Sequence, residues 1–181
     1  MRNRLLIIQP SYYRSKADRT VYRARRRQVV SLTLPYLAAL TPAHRDIKLL
    51  DEQLEPIPFD QRPDLVAITT WTLSSYRAYD IADEFRRRGV PVIMGGPHTF
   101  FHAEEAAEHC DAVGIGEAEA IWPWMLEDAE RGQLEKCYRA ELLTSLAGFP
   151  LPRYDLLNLR RYGPFKTFVV ASSRGCPFHC D

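Results

Sequence analysis

Val90-Pro91-Val92-Ile93-Met94-Gly95-Gly96-Pro97-His98-Thr99 is the stretch on which the fold turns. Its short apolar run follows a pattern of helical period, so it reads as a buried strand of a parallel sheet. The run then breaks into two glycines and a proline. Paired glycines at a strand's carboxyl end accept positive φ and put no side chain in the way of a ligand. In open α/β sheets, ligands bind in the crevice outside the carboxyl ends of the strands. Gly-Gly-Pro is also an ordinary tight turn, and the dipeptides alone leave both readings open.

The neighbouring segments extend the pattern in both directions. Upstream, Leu65-Val66-Ala67-Ile68-Thr69 is a strongly apolar and therefore central strand. It enters a hydroxyl-rich loop, Thr70-Trp71-Thr72-Leu73-Ser74-Ser75, that can cap a helix over residues 76–88. Tyr79, Ile81, Ala82 and Phe85 form that helix's inner face, and Gly89 closes it. Further back lie strands at residues 5–9 and 47–51, with a helical stripe over residues 29–40 between them. Downstream, a short helix over 103–109 leads to a fifth strand, Ala112-Val113-Gly114-Ile115. Gly116-Glu117-Ala118-Glu119 then opens a helix through Arg131, with Ile121, Trp124, Met125 and Leu126 inward.

Five strands thus alternate with helices between residues 5 and 131, which predicts parallel pairing with right-handed crossovers. The class is α/β. The spacing suits a flavodoxin-like (Rossmann-like) sheet of order 2-1-3-4-5, helices on both faces, its switch point between strands one and three. Beyond Leu134 the pattern dissolves. We divide the chain into a domain of residues 1–140, a linker of 141–166, and the start of another unit at 167–181. Phe168-Val169-Val170-Ala171 is expected to be that unit's first strand.

Composition narrows the function classes. With 24 Lys+Arg against 23 Asp+Glu in 181 residues, no bulk charge draws the chain to nucleic acid or membrane. Only Leu5 to Ile8 are strongly apolar near the amino terminus, too few for a signal-peptide core or a membrane span. A cytoplasmic protein is the expectation. Residues 11–28 carry seven Lys/Arg-rich positions from Arg14 to Arg27, interleaved with Tyr12, Tyr13 and Tyr22. Such a run binds phosphate or nucleic acid in some proteins. The neutral total favours a solvated loop and helix face here.

Nucleotide motifs are missing. No Gly-x-Gly-x-x-Gly follows the first strand, no Gly-Lys-Ser/Thr occurs, and Gly114-Ile115-Gly116 lacks a third glycine. Gln9-Pro10-Ser11 also stands where a phosphoacceptor receiver has acidic residues. Cys176-x-x-x-Cys180 is more specific, since thiolates so spaced hold iron at a cluster when a third is close. Zinc with His179 and His98, or two idle thiols, are the other readings of that pair. Cys110 and Cys137 are isolated and read as small packed residues.

Ser172-Ser173-Arg174-Gly175-Cys176-Pro177-Phe178-His179-Cys180-Asp181 resembles the opening of the radical S-adenosylmethionine motif, Cys-x3-Cys-x2-Cys. The given chain ends before the last cysteine of that motif, and we read it as truncated there. Residues 3–140 resemble the B12-binding domain of that family's cobalamin-dependent branch. The landmarks are Leu34-Pro35-Tyr36-Leu37-Ala38-Ala39-Leu40, Leu49-Leu50-Asp51-Glu52, Met94-Gly95-Gly96-Pro97-His98 and Ile115-Gly116-Glu117-Ala118-Glu119.

The resemblance implies cobalamin at the strands' carboxyl ends, with its nucleotide tail threaded into the sheet region. Gly95 and Gly96 suit a slot for the tail ring, and Thr69, Thr70, Thr72 and Ser74 suit its polar edges. Trp71 and the Pro97-His98 corner are expected against the corrin, and Gly116-Glu117 near a corrin amide. A plainer role for Glu117 is to complement the helix dipole. Many relatives carry Asp-x-His-x-x-Gly after strand one, with a histidine below cobalt. This chain has Ser11-Tyr12-Tyr13-Arg14-Ser15-Lys16 instead, and His98 belongs to another loop, so no histidine ligand is expected.

The function implied is the cobalamin-binding module of a radical methyltransferase acting on an unactivated position. The parent would also carry a 4Fe-4S cluster at Cys176, Cys180 and a third cysteine, S-adenosylmethionine, and a radical barrel as its intrachain partner. This chain alone is not expected to be catalytic. The competing reading is a flavodoxin-like interaction module without a corrin, in which Gly95-Gly96 is only a turn.

Overall fold

The computed structural model describes residues 3–15, 17–141, 147–171 and 173. The chain forms β1 (Arg4–Gln9), β2 (Arg27–Val30), α1 (Thr33–Leu40), β3 (Asp46–Asp51), β4 (Leu65–Thr69) and α2 (Ser75–Arg87). It continues with β5 (Val92–Gly95), α3 (Pro97–Phe101), α4 (Ala103–His109), β6 (Ala112–Ile115), α5 (Ala118–Arg131), β7 (Cys137–Arg139) and β8 (Tyr162–Phe168). Six strands make one sheet in the order β3-β1-β4-β5-β6-β7, and every pairing in it is parallel.

Side-chain alternation divides the core in two. Leu6, Ile8, Val66, Ile68, Val92, Met94 and Val113 face α2 and α4, meeting Ile81, Ala82, Phe85 and Ala106. Leu5, Ile7, Leu65, Ala67, Ile93 and Ala112 face α1 and α5, meeting Leu34, Ala38, Ile121, Trp122 and Met125. The chain is therefore α/β with helices on both faces of a parallel sheet.

Several sequence expectations fail, each for a physical reason. The sheet has six strands rather than five. The sixth, β7, is only three residues long, and its one inward side chain is Tyr138. Val29 and Val30 are not helical. They lie in β2, which pairs with β8 in a separate two-stranded parallel sheet, and Val30 is fully buried while Val29 is exposed. That pairing joins segments more than a hundred residues apart, so no local periodicity announces it. Strand β8 ends at Phe168, so the strand expected over residues 168–171 lies earlier, and it straddles the expected boundary at 166 and 167. Cys137 is exposed rather than packed, whereas Cys110 is buried and its thiol is pushed up to about 12 by burial.

In α5 it is Trp122, not Trp124, that turns inward; they are 4% and 46% exposed. Ile121, Trp122, Met125, Leu126 and Ala129 form one stripe, and Trp124 falls roughly 130° from its centre at 100° per residue. Trp124 instead sets its edge against the Tyr138 ring, 4.9 Å between centroids.

Charge at the strand ends is organised inside the fold. Glu52 is fully buried at the end of β3. Its carboxylate accepts from the Ser11 amide at 3.0 Å and from Arg77 Nη2 at 2.6 Å, with Arg23 3.6 Å away. Next to it, Asp51 pairs with Arg27 at 2.5 Å. Tyr13 Oη donates to the Asp80 carboxylate, which also pairs with Arg19. Arg19, Arg23 and Arg27 of the basic run thus each face a carboxylate of the fold, and its described residues before β2 form loop with a Tyr13–Val21 bridge rather than a helix. Among the described residues no helix is long and apolar enough to cross a membrane.

Candidate functional site

On the α1/α5 face, the carboxyl ends of β4, β5 and β6 carry unusually small side chains. Thr69 pairs with Gly95, and Gly114 follows Val113, the partner of Met94. The row Thr69-Gly95-Gly114 is thus nearly bare, with Ala67 one step below. Over Gly114 the α5 side chains Ile121 and Met125 close in, each 3.2 Å from where a Cβ would stand, whereas at Gly95 a Cβ would meet nothing nearer than 3.7 Å. A cavity of about 230 Å³ remains, lined by Ala67, Ile93, Gly95 and Gly114 below and by Tyr36, Leu37, Ile121, Trp122 and Met125 above. It opens beside Gly96, Gly116, Glu117 and Glu119.

The two glycines of the opening stretch have different tasks. Gly95 has ordinary strand geometry, and a Cβ there would meet nothing nearer than Gly114 O at 3.7 Å. Gly96 has φ +107°, and a Cβ would sit 2.8 Å from Thr70 N and 2.9 Å from Thr70 O. That close approach is held by Thr70 N donating to Gly95 O at 2.7 Å and His98 N donating to Thr70 O at 3.0 Å. Gly96 is needed for the backbone, Gly95 for the space. Gly116 also has positive φ, and a Cβ there would press on Ala140 Cβ at 3.0 Å.

The remaining expected site residues divide. Thr69, Gly95, Gly96, Gly116 and Glu117 line the cavity. Thr70 is fully buried beside it, with Oγ1 lacking a hydrogen-bond partner among the described residues. Trp71 is half exposed on the loop above, and Pro97 opens α3. Ser74 is engaged in its own turn, where its Oγ accepts from Trp71 N at 3.3 Å. Thr72 lines a separate hollow with Tyr13, Arg19, Leu73 and Tyr76. Cys176 and Cys180 lie outside the described residues.

His98 is not brought into the cavity. Its ring is 3% exposed, with Nε2 2.8 Å from Tyr79 Oη and Nδ1 3.3 Å from Thr72 Oγ1. Burial, reinforced by the neighbouring His102, holds its pKa below the ordinary histidine value, and the pull of Glu105 is the weaker influence. The unfolded chain therefore takes up that proton first. Stability is complete above about pH 6.5 and is lost as pH falls from there toward the folded value. Thermal unfolding followed from about pH 7 to pH 5 should show this decline. His98→Phe should flatten it; an unchanged slope would place its origin elsewhere.

Sequence reasoning missed Gly114, Tyr36 and Glu119. Tyr36 Oη donates to Glu119 Oε1 at 2.7 Å, tying the first turns of α1 and α5 together across the cavity. Gly114 was legible in principle, because strand alternation puts it on the same face as Ala112. The Tyr36–Glu119 tie joins residues 83 apart and has no local signal.

Residues 19–123, more than half of the chain, match the B12 binding domain family. This chain belongs to that family. The matched B12-binding segment runs from the loop after β1 into α5 and holds most of the cavity. Three relatives are named as methyltransferases. Bacteriochlorophyllide d C-8(2)-methyltransferase of Chlorobaculum tepidum is 36% identical over 83% of this chain and 34% of its own length. The C-12(1)-methyltransferase of the same organism is 32% identical over 83% of this chain and 34% of its own. An uncharacterized methyltransferase of Pyrococcus horikoshii is 32% identical over 82% of this chain and 39% of its own. The chain thus spans about a third of the length of these relatives.

The site fits part of a B12 cofactor. The side chain missing at Gly95 leaves room for a flat ring between the sheet and the helices.

Proposed function

We propose that this chain is the cobalamin-binding module of a radical S-adenosylmethionine methyltransferase. The observation that carries the cofactor half is the bare Thr69-Gly95-Gly114 row under α1 and α5, which opens at the strands' carboxyl ends. In this reading Gly95 admits the tail base, and Thr69 and Thr70 meet its ribose and phosphate side. Glu117 at the start of α5 accepts from a corrin amide. Trp71 lies against the macrocycle as an exposed apolar surface. Bound cobalamin supplies a cobalt that carries the methyl group. The loop after β1 is pinned by Glu52, Arg77 and Asp80, and it offers no histidine to the metal.

Methyl transfer is supported by the names of the relatives, and the radical half by Cys176-x-x-x-Cys180 with its flanking Arg174-Gly175 and Pro177-Phe178. We divide the parent as a cobalamin domain over residues 1–140, a linker over 141–166 and a radical domain from 167. The barrel of the same chain is the partner.

Titrating hydroxocobalamin into the chain should give micromolar binding, about −8 kcal/mol, and a visible spectrum of the base-detached form. His98→Gln should leave that spectrum unchanged. Reconstitution of the parent with iron and sulfide should give a cluster signal by electron paramagnetic resonance that Cys176→Ala removes. A chain and parent that both fail to bind corrin would overturn the cofactor reading, and a parent without a cluster would overturn the radical one.

A further inference from the structure

We infer that the cavity selects corrinoids by their tail base, accepting an apolar benzimidazole and rejecting a purine. The inference rests on the cofactor reading above. Main-chain groups of the floor are engaged in the parallel ladders β4–β5, β5–β6 and β6–β7, whose bonds lie in the sheet plane. Gly114 O, at the cavity wall, also accepts from Thr99 Oγ1 at 3.0 Å. The floor side chains Ala67 and Ile93 and the wall side chains Ile121 and Met125 offer no donor and only a thioether as acceptor. Trp122 has one N–H, and it donates to Thr41 Oγ1 at 2.9 Å.

The polar side chains of the lining come from the strand-end side of the cavity. Thr69 ends β4, Thr33 and Tyr36 sit in the first turn of α1, and Glu117 and Glu119 open α5. A benzimidazole inserted past them leaves nothing unpaired in the depths. An adenine of similar size brings an exocyclic amine and additional ring nitrogens, and these lose their water without gaining a partner. A buried polar group left unpaired weakens binding by roughly 5- to 150-fold.

The test measures dissociation constants of the whole chain for cobalamin, adeninyl cobamide, 5-hydroxybenzimidazolyl cobamide and tail-free cobinamide. Cobalamin should bind at least about fivefold tighter than both the adeninyl and the hydroxylated cobamide. The hydroxylated base separates polarity from size, since it adds one oxygen to the same bicycle. Met125→Gln, which places an amide in the wall, should narrow the ratio between cobalamin and the adeninyl cobamide. Equal affinity for all three tailed cobamides would overturn the selectivity and leave the cofactor reading standing. Failure of the chain and its parent to bind any of the four would remove the cofactor reading itself, and the inference with it.

Discussion

Gly95→Leu is expected to abolish corrinoid binding while leaving the fold and its unfolding temperature nearly unchanged. Gly95 already has strand geometry, and the first atom of a new side chain would meet only Gly114 O at 3.7 Å. The rest of the leucine enters the cavity of about 230 Å³, where it fills the space and buries its own apolar surface. Gly96→Ala should behave in the opposite way. At φ +107° its Cβ would be 2.8 Å from Thr70 N and 2.9 Å from Thr70 O, so the strand end itself must move. Backbone strain of this kind costs about 1–3 kcal/mol. Thermal unfolding of the two variants, paired with hydroxocobalamin titration, separates the roles. Full binding by Gly95→Leu would refute the assignment of the cavity to the tail.

Glu52→Ala should be among the most damaging single changes outside the apolar core. The carboxylate is fully buried, and it holds the Ser11 amide, the Arg77 guanidinium and, more loosely, Arg23. Removing one member of a buried pair costs about 3–5 kcal/mol, because the other charge is left without compensation. For a chain of this size that lowers the unfolding temperature by roughly 6–20 °C. The double change Glu52→Leu with Arg77→Met should recover part of the loss, since it removes both charges together. The expected order can be read from calorimetry. A Glu52→Ala protein as stable as the parent sequence would show that the pair is solvated after all.

Glu52 also holds the loop after β1 in place. Ser11 is tied to the end of β3, and Tyr13 is tied to α2 through Asp80. The loop is therefore held at Ser11 by the end of β3 and at Tyr13 by α2. A charge count, with 24 basic against 23 acidic residues, shows only that the total is balanced and says nothing of which pairs are buried.

The α/β class and the principal strands were determined by the sequence alone, because each strand is a short apolar run and each helix an apolar stripe, both set by neighbours in the chain. The glycine pair at 95 and 96 was legible for the same reason. Tertiary structure alone separated their tasks, since the atoms that crowd Gly96 belong to Thr70, on the neighbouring strand's end. It also decided that His98 is a packed core side chain, that Trp122 rather than Trp124 turns inward, and that β2 joins β8. The cavity itself is a product of three strands and two helices, and its polar tie, Tyr36 to Glu119, spans 83 residues. Local pattern reports which face a residue takes. Contacts between distant segments decide what that face meets, and they exist only once the chain has folded.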